Sequence, residues 1–261
     1  MRFKVVLLLH QEAFGNVLPV SYQFELSSCI HRKLTDDKDQ YYEWLDRNNY
    51  DPNTSFKHKL FSLSNLYIPK LKVYEARLHV LARRVQFWIS FLPEVGTEEY
   101  IQKALAGQDL LIGDKKSQVY FSIESIEPIS NMEFPETVDY LSLSPIVMSC
   151  PRSNKSVKYI SPIDVNYKRT LLSQLIDKYE HFYGEPFKEE LICDFELLSE
   201  PKRKGIFIKR FTPNETKIIG YMYKFRLKLN PSLHHLLYYT GLGDKVGLGF
   251  GCVEVINNGC R

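Results

Sequence analysis

The chain has 261 residues, of which 44% are hydrophobic and 25% charged, with a formal net charge of +3. Those proportions describe a globular protein, long enough for one large domain or two compact ones, whose core needs no disulfide staples. The total charge does not by itself announce a nucleic-acid partner, so only its distribution can speak for one.

The segment Phe3–Leu9 predicts a first strand. Its apolar run, Val5–Leu9, is too short for a secretory leader or a membrane span. Apolar residues at Phe24, Leu26, Cys29, Ile30 and Leu34 predict a helix within Val20–Leu34. A second short helix is expected over Asp37–Asn48, with Tyr41, Trp44 and Leu45 on one face. Strands are predicted over Phe56–Leu63, Lys70–His79 and Arg84–Phe91. A helix follows from Thr97 to about Ala106, with Thr97 as its N-cap and two acidic residues beside the positive helix end. Leu110–Ile112 and Gln118–Pro128 complete a βαββαβ order, and Pro128–Pro135 reads as a linker.

The second half repeats the pattern. Strands are expected over Tyr140–Met148 and Val157–Ser161, then a helix over Val165–Tyr183 closed by Gly184 and Pro186. Leu191–Leu198, Gly205–Phe211 and Lys217–Leu229 read as strands, with a turn at FTPNET. Pro231–Thr240 reads as a short helix with proline in its first turn, and Phe250–Ile256 as the closing strand. The fold class is therefore α+β, with two tandem ferredoxin-like (βαββαβ, RRM-like) domains over residues 1–128 and 136–261.

The five cysteines, Cys29, Cys150, Cys193, Cys252 and Cys260, form no C-x-x-C pair and have no histidine at finger-like spacing. A zinc site finds no support, nor does a metal hydrolase, and no cofactor is expected. Their odd number points to reduced thiols and a cytoplasmic protein. Between Pro201 and Asn230 stand nine basic residues, Lys202, Arg203, Lys204, Lys209, Arg210, Lys217, Lys224, Arg226 and Lys228, opposed only by Glu215. Such a strip fits a phosphate-backbone footprint or, equally, a solvated strand face.

The stretch GLGDKVGLGFG, Gly241–Gly251, holds five of the chain's 13 glycines. It lacks the third glycine of a dinucleotide fingerprint and runs from helix to strand rather than the reverse. Nor does it hold a P-loop. Leu242, Val246, Leu248 and Phe250, set between the glycines, suit a tight loop pressed against another surface.

Together with MRFKVVLLL, YQFELSSCIHRKL and YYEWLDRNNY, the extended stretch GLGDKVGLGFGCVEVI resembles the repeat-associated RNA-binding superfamily. Within it the chain is similar to the CRISPR-associated endoribonucleases that cut precursor repeat RNA. The resemblance spans essentially the whole chain. It implies two ferredoxin-like domains, CRISPR repeat RNA as partner, and metal-independent cleavage by 2′-OH attack that leaves a 2′,3′-cyclic phosphate and a 5′-OH. It also allows other Cas proteins of an effector complex as partners, either as a cutting enzyme or as a structural subunit, and a monomer or a homodimer. No membrane is involved.

The resemblance places the catalytic groups on and after the first helix, where His31, Arg32 and Lys33 stand. His31 occupies a place where relatives carry Tyr or His, whereas Asp46 stands where many carry a histidine. His58 and Lys59 are further catalytic candidates. Lys33 and Lys59 would stabilise charge, and a histidine suits proton transfer near neutral pH. Arg32, Lys202, Arg203, Lys204, Lys209, Arg210 and Lys245 would bind RNA, with Gly243, Gly247 and Gly249 lending backbone N–H groups. His10 and His79 read as structural, and His234 and His235 as the start of a capped helix.

Overall fold

The computed structural model of the chain describes residues 1–50, 61–151 and 157–256. The first half contains β1 (Arg2–Leu9), α1 (Gln11–Phe14), β2 (Val17–Pro19), α2 (Gln23–Leu34), α3 (Lys38–Arg47) and β3 (Phe61–Leu63). It continues with β4 (Leu71–Tyr74), β5 (Arg77–Val80), β6 (Arg84–Phe91), α4 (Thr97–Leu105), β7 (Asp109–Gly113) and β8 (Gln118–Ile129). The main sheet runs β3-β6-β1-β8-β7 and is antiparallel throughout. Its first four strands have the order of a ferredoxin-like unit, and β7 is added at the edge.

Alternation in β1 decides which face is buried. Phe3, Val5 and Leu7 lie in the core opposite Ile89, Phe87 and Val85 of β6. Leu26, Ile30 and Leu34 of α2 bury on that layer at helical spacing. Asp37 caps α3 by accepting the Gln40 N–H at 3.1 Å, and Trp44 stacks on Tyr100 of α4 at 4.5 Å.

The second half contains β9 (Thr137–Ser142), β10 (Ser149–Pro151), β11 (Val157–Tyr159), α5 (Tyr167–Tyr183) and β12 (Cys193–Leu197). Then come β13 (Lys202–Ile208), β14 (Thr216–Met222), β15 (Lys224–Leu229), α6 (Pro231–Thr240), a 3-10 turn at Val246–Leu248, and β16 (Val253–Val255). Its sheet, β12-β15-β9-β16, repeats the same strand order. The fold is thus α+β with two tandem ferredoxin-like units. Each carries a hairpin between its second and third core strands, β4–β5 in one and β13–β14 in the other.

Several expectations need correction. Lys70–His79 is a hairpin, because Glu75 and Ala76 both take positive φ and reverse the chain. Lys217–Leu229 is two strands in different sheets, parted at the buried Tyr223. Thr97 is not the cap of α4: Gly96 holds that place, while the Thr97 hydroxyl donates to Pro93 O and receives the Trp44 indole N–H. Phe250 precedes the closing strand rather than opening it.

The two units are stapled by Arg2, whose side chain is 1% exposed. Its guanidinium reaches Ser90 Oγ at 2.6 Å, Glu254 Oε2 at 2.9 Å and Val253 O at 2.7 Å, and lies 3.8 Å from the Tyr238 ring centre. A buried arginine needs such a set of acceptors to offset its desolvation.

Candidate nucleic-acid interface

The glycine stretch is wedged between the units. A Cβ at Gly249 (φ +89) would stand 2.6 Å from Gln23 O of α2, and one at Gly243 (φ +86) 2.3 Å from Val147 O. Only glycine permits both the left-handed backbone and this approach. Ser27 Oγ donates to Gly247 O at 2.8 Å, fixing the loop to α2. Phe250 and Leu248 pack with Ile206, Ile208 and Ile218 of the β13–β14 hairpin and with Phe24 of α2.

From the other side α5 holds the same loop. Lys178 Nζ donates to Gly241 O at 2.7 Å and, four residues earlier, Gln174 Nε2 donates to Asp244 Oδ1 at 3.1 Å. Burial lowers the Lys178 ammonium to about 8, against the pull of Asp244. The N–H groups of Asp244, Leu248 and Gly249 bond to carbonyls of the protein, and Lys245 is the exposed side chain at the loop's bend.

His31 lies one turn beyond Ser27 on the same face of α2, so it stands beside this seam. Its ring is 6.4 Å from that of Phe61 at the start of β3. Lys33 leaves α2 about 200° further round the axis and donates to Gln108 Oε1 at 2.8 Å. It is therefore not brought to His31. Arg32 is exposed, with Nη2 3.5 Å from Cys29 Sγ. Asp46 sits on the exposed face of α3, away from the buried Tyr41, Trp44 and Leu45. His58 and Lys59 lie outside the described residues.

The basic strip divides in two. Lys224, Arg226 and Lys228 project from β15, where Arg226 forks onto Asp139 at 2.7 and 3.0 Å and Lys228 lies 3.8 Å from Glu136. Lys202, Arg203, Lys204 and Lys209, on or beside the β13–β14 hairpin, are exposed and, unlike Arg210, Arg226 and Lys228, join no carboxylate among the described residues. Their charge is available to an anion, whereas two of the three β15 cations are already answered.

At the hairpin tip, Arg210 Nη1 is 3.8 Å from Asp114. Arg77 already donates to both oxygens of that carboxylate at 2.9 Å, and the Lys116 and Ser117 N–H groups at 2.9 and 3.1 Å. Burial works against ionisation of Asp114, but these donors outweigh it and hold the carboxyl below its usual range. Nearby Glu25 is pushed up to about 7, first by burial and further by Asp114. Arg77, Lys116, Phe207 and Phe211 were not singled out in the sequence, although KRF at the end of a basic strand was a usable sign of an aromatic among cations.

His234 is a core histidine. It bonds to Tyr140 Oη at 2.8 Å through Nδ1 and to Glu136 O at 3.0 Å through Nε2, and burial lowers its pKa. Among the described residues no group of three or more His, Cys, Asp or Glu side chains could hold a metal ion. No helix there is long and apolar enough to cross a membrane.

Fold and seam define a protein of two tandem ferredoxin-like units that meet across a glycine-rich loop. Residues 129–255 match the family model of CRISPR associated protein Cas6, C-terminal. A relative from Pyrococcus horikoshii, a putative CRISPR-associated endoribonuclease-like protein Cas6nc, is 24% identical over 98% of this chain and 100% of its own. The CRISPR-associated endoribonuclease Cas6 of Pyrococcus furiosus is 23% identical over 99% of this chain and 91% of its own. A solved Cas6-related protein from Pyrococcus furiosus superposes with a TM-score of 0.78 at 24% identity, covering 99% of both chains. A solved RAMP protein described as binding different RNA substrates does so with a TM-score of 0.78 at 23% identity, over 98% of this chain and 100% of that one. In its C-terminal half by the family model, and along its whole length by these relatives, the chain is similar to the Cas6 family of CRISPR-associated proteins.

Proposed function

We propose that the protein is a metal-independent endoribonuclease that binds CRISPR repeat RNA and cuts precursor CRISPR RNA into guide units in the cytoplasm. The two domains are taken as residues 1–128 and 136–261. The 2′-OH beside the scissile phosphate attacks phosphorus, the P–O5′ bond breaks, and a 2′,3′-cyclic phosphate and a 5′-OH result. His31 carries the proton transfer at the 2′-OH, for which an imidazole is suited near neutral pH. Cations from the segment holding His58 and Lys59 answer the charge that builds on the phosphate oxygens. Exposed Lys202, Arg203, Lys204 and Lys209 hold RNA phosphates, with Arg32 and Lys245 nearer the seam.

One observation carries this reading. The glycine loop is seated on α2 through Ser27, one turn before His31, so a backbone following the loop passes the imidazole. A relative named as an endoribonuclease supports the same activity. Repeat RNA incubated in EDTA and run on a denaturing gel tests it. Cutting that survives the chelator and is lost in His31→Ala, with binding retained, is expected. Unchanged cutting by His31→Ala would remove His31 from the chemistry.

A second reading is a repeat-RNA-binding homologue that does not cut. It is favoured by Asp46, a carboxylate at a place where the resemblance calls for histidine, exposed on the outer side of α3. Tight binding with no cleavage in the same gel would select it.

A further inference from the structure

The tip of the β13–β14 hairpin carries two features that packing does not explain. Phe211 has φ +60 and Lys209 φ +52, a left-handed backbone that a bulky side chain rarely adopts. Yet Phe211 and Phe207 belong to neither hydrophobic cluster of the protein. The strained turn is held by the Phe211 N–H on Glu215 Oε2 at 2.9 Å and by Thr212 Oγ1 on Lys209 O at 2.7 Å. Strain kept without a packing return points to use.

The ring neighbours are cations. Lys116 Nζ lies 4.7 Å from the centre of the Phe211 ring and Arg210 Cζ 4.9 Å from it. Lys217 Nζ lies 5.5 Å, and Arg210 Cζ 5.8 Å, from the centre of Phe207. Arg210 is the loosely held member of its ion group: Asp114 is occupied by Arg77, and Arg210 Nε is buried without a partner. Lys115, Lys116 and Lys209 are exposed. Six cations, Arg77, Lys115, Lys116, Lys209, Arg210 and Lys217, therefore stand at or near the tip, against the carboxyls of Asp114, Glu215 and Glu25.

We propose that Phe211, with Phe207 beside it, is a stacking site for an unpaired RNA base, and that Arg210 and Lys116 hold the flanking phosphates. A half-exposed ring set among cations is what a splayed nucleotide needs: a π-face for the base and positive charge for its backbone. A base inside a duplex has both faces covered by the pairs stacked above and below it, so the tip selects a single-stranded nucleotide next to the segment gripped by the hairpin. Lys116 comes from the first unit and Arg210 from the second, so the bound nucleotide bridges the two. The assignment rests on the RNA-binding reading above and adds to it where, and in which form, the RNA is read.

The test uses the full chain and short single-stranded RNAs carrying 2-aminopurine at successive positions, with a blunt RNA duplex as the comparison. In the wild type, fluorescence at one position should be quenched on binding. Phe211→Ala should abolish that quenching and weaken single-strand binding about tenfold, with duplex binding unchanged, while Phe211→Trp restores both. Lys116→Ala, in a different turn, removes a flanking cation without changing the hairpin's own sequence and should weaken the same RNA. Melting temperatures equal to wild type show that each variant is folded. Quenching and affinity unaltered in folded Phe211→Ala would overturn the stacking site and leave RNA binding standing. A wild type that binds neither RNA would overturn both readings.

Discussion

Arg2→Met tests whether the buried staple joins the two ferredoxin-like units. Methionine keeps the apolar stem and removes the guanidinium. Ser90, fully buried, and the Val253 carbonyl then lose their partners. Glu254 loses its cation too, but its side chain is 31% exposed and water replaces the bond. Removing one member of a buried pair costs about 3–5 kcal/mol, and the solvated glutamate places this case at about 3. At roughly 2–4 °C per kcal/mol for chains of this size, the melting temperature should fall by about 6–12 °C. Urea unfolding of Arg2→Met, Glu254→Gln and the double variant provides the assay. The double variant should be less destabilised than the sum of the singles, because both remove one interaction. A loss below about 1 kcal/mol for Arg2→Met, or simple additivity, would refute the staple.

Replacing Lys202, Arg203 and Lys204 together by alanine should flatten the slope of log affinity for single-stranded RNA against log salt by roughly 2, near 0.7 per lost phosphate contact. Arg226→Gln, which removes a cation already forked onto Asp139, should leave the slope unchanged, and equal slopes for both variants would sink the division of the basic strip. Glu25 has a folded pKa of about 7 against an ordinary value of 4.5. Between those values the folded carboxyl holds a proton that the unfolded chain has released, so its contribution to stability falls as pH rises through the window. The stability of Glu25→Gln relative to wild type should therefore climb from pH 4.5 to 7, and a flat difference across that range would contradict the burial of this carboxyl.

Much of the architecture was legible because alternation and helical spacing are local. Arg84–Phe91 and Pro231–Thr240 are read from the sequence with their observed bounds. Two of the misreadings share a cause: where the chain turned without glycine or proline, nothing local announced it. Glu75 and Ala76 reverse a hairpin in a positive-φ conformation that neither residue advertises. At Tyr223 the chain changes sheets because the Ser142 hydroxyl takes its N–H at 2.8 Å, a contact 81 residues away in sequence. Thr97 looked like a cap by type, but its hydroxyl was claimed by Pro93 and Trp44.

The site follows the same division. That the glycine stretch presses on another surface was legible from its alternating apolar residues, but which surface was not. The answer depends on α2, β3, α5 and the β13–β14 hairpin converging on it from four parts of the chain. The resemblance likewise grouped Lys33 with His31, and helix geometry separates them, because two positions along α2 carry a side chain to the opposite side. Charge counting joined β15 to the hairpin, and the partners of each cation part them again. The glycine loop is therefore best regarded as the part that sets distances. Seated on Ser27 and held by Lys178, it fixes how far the hairpin cations stand from His31. A backbone substitution such as Gly249→Ala, which touches no candidate RNA-contacting side chain, would disturb both binding and chemistry through that spacing.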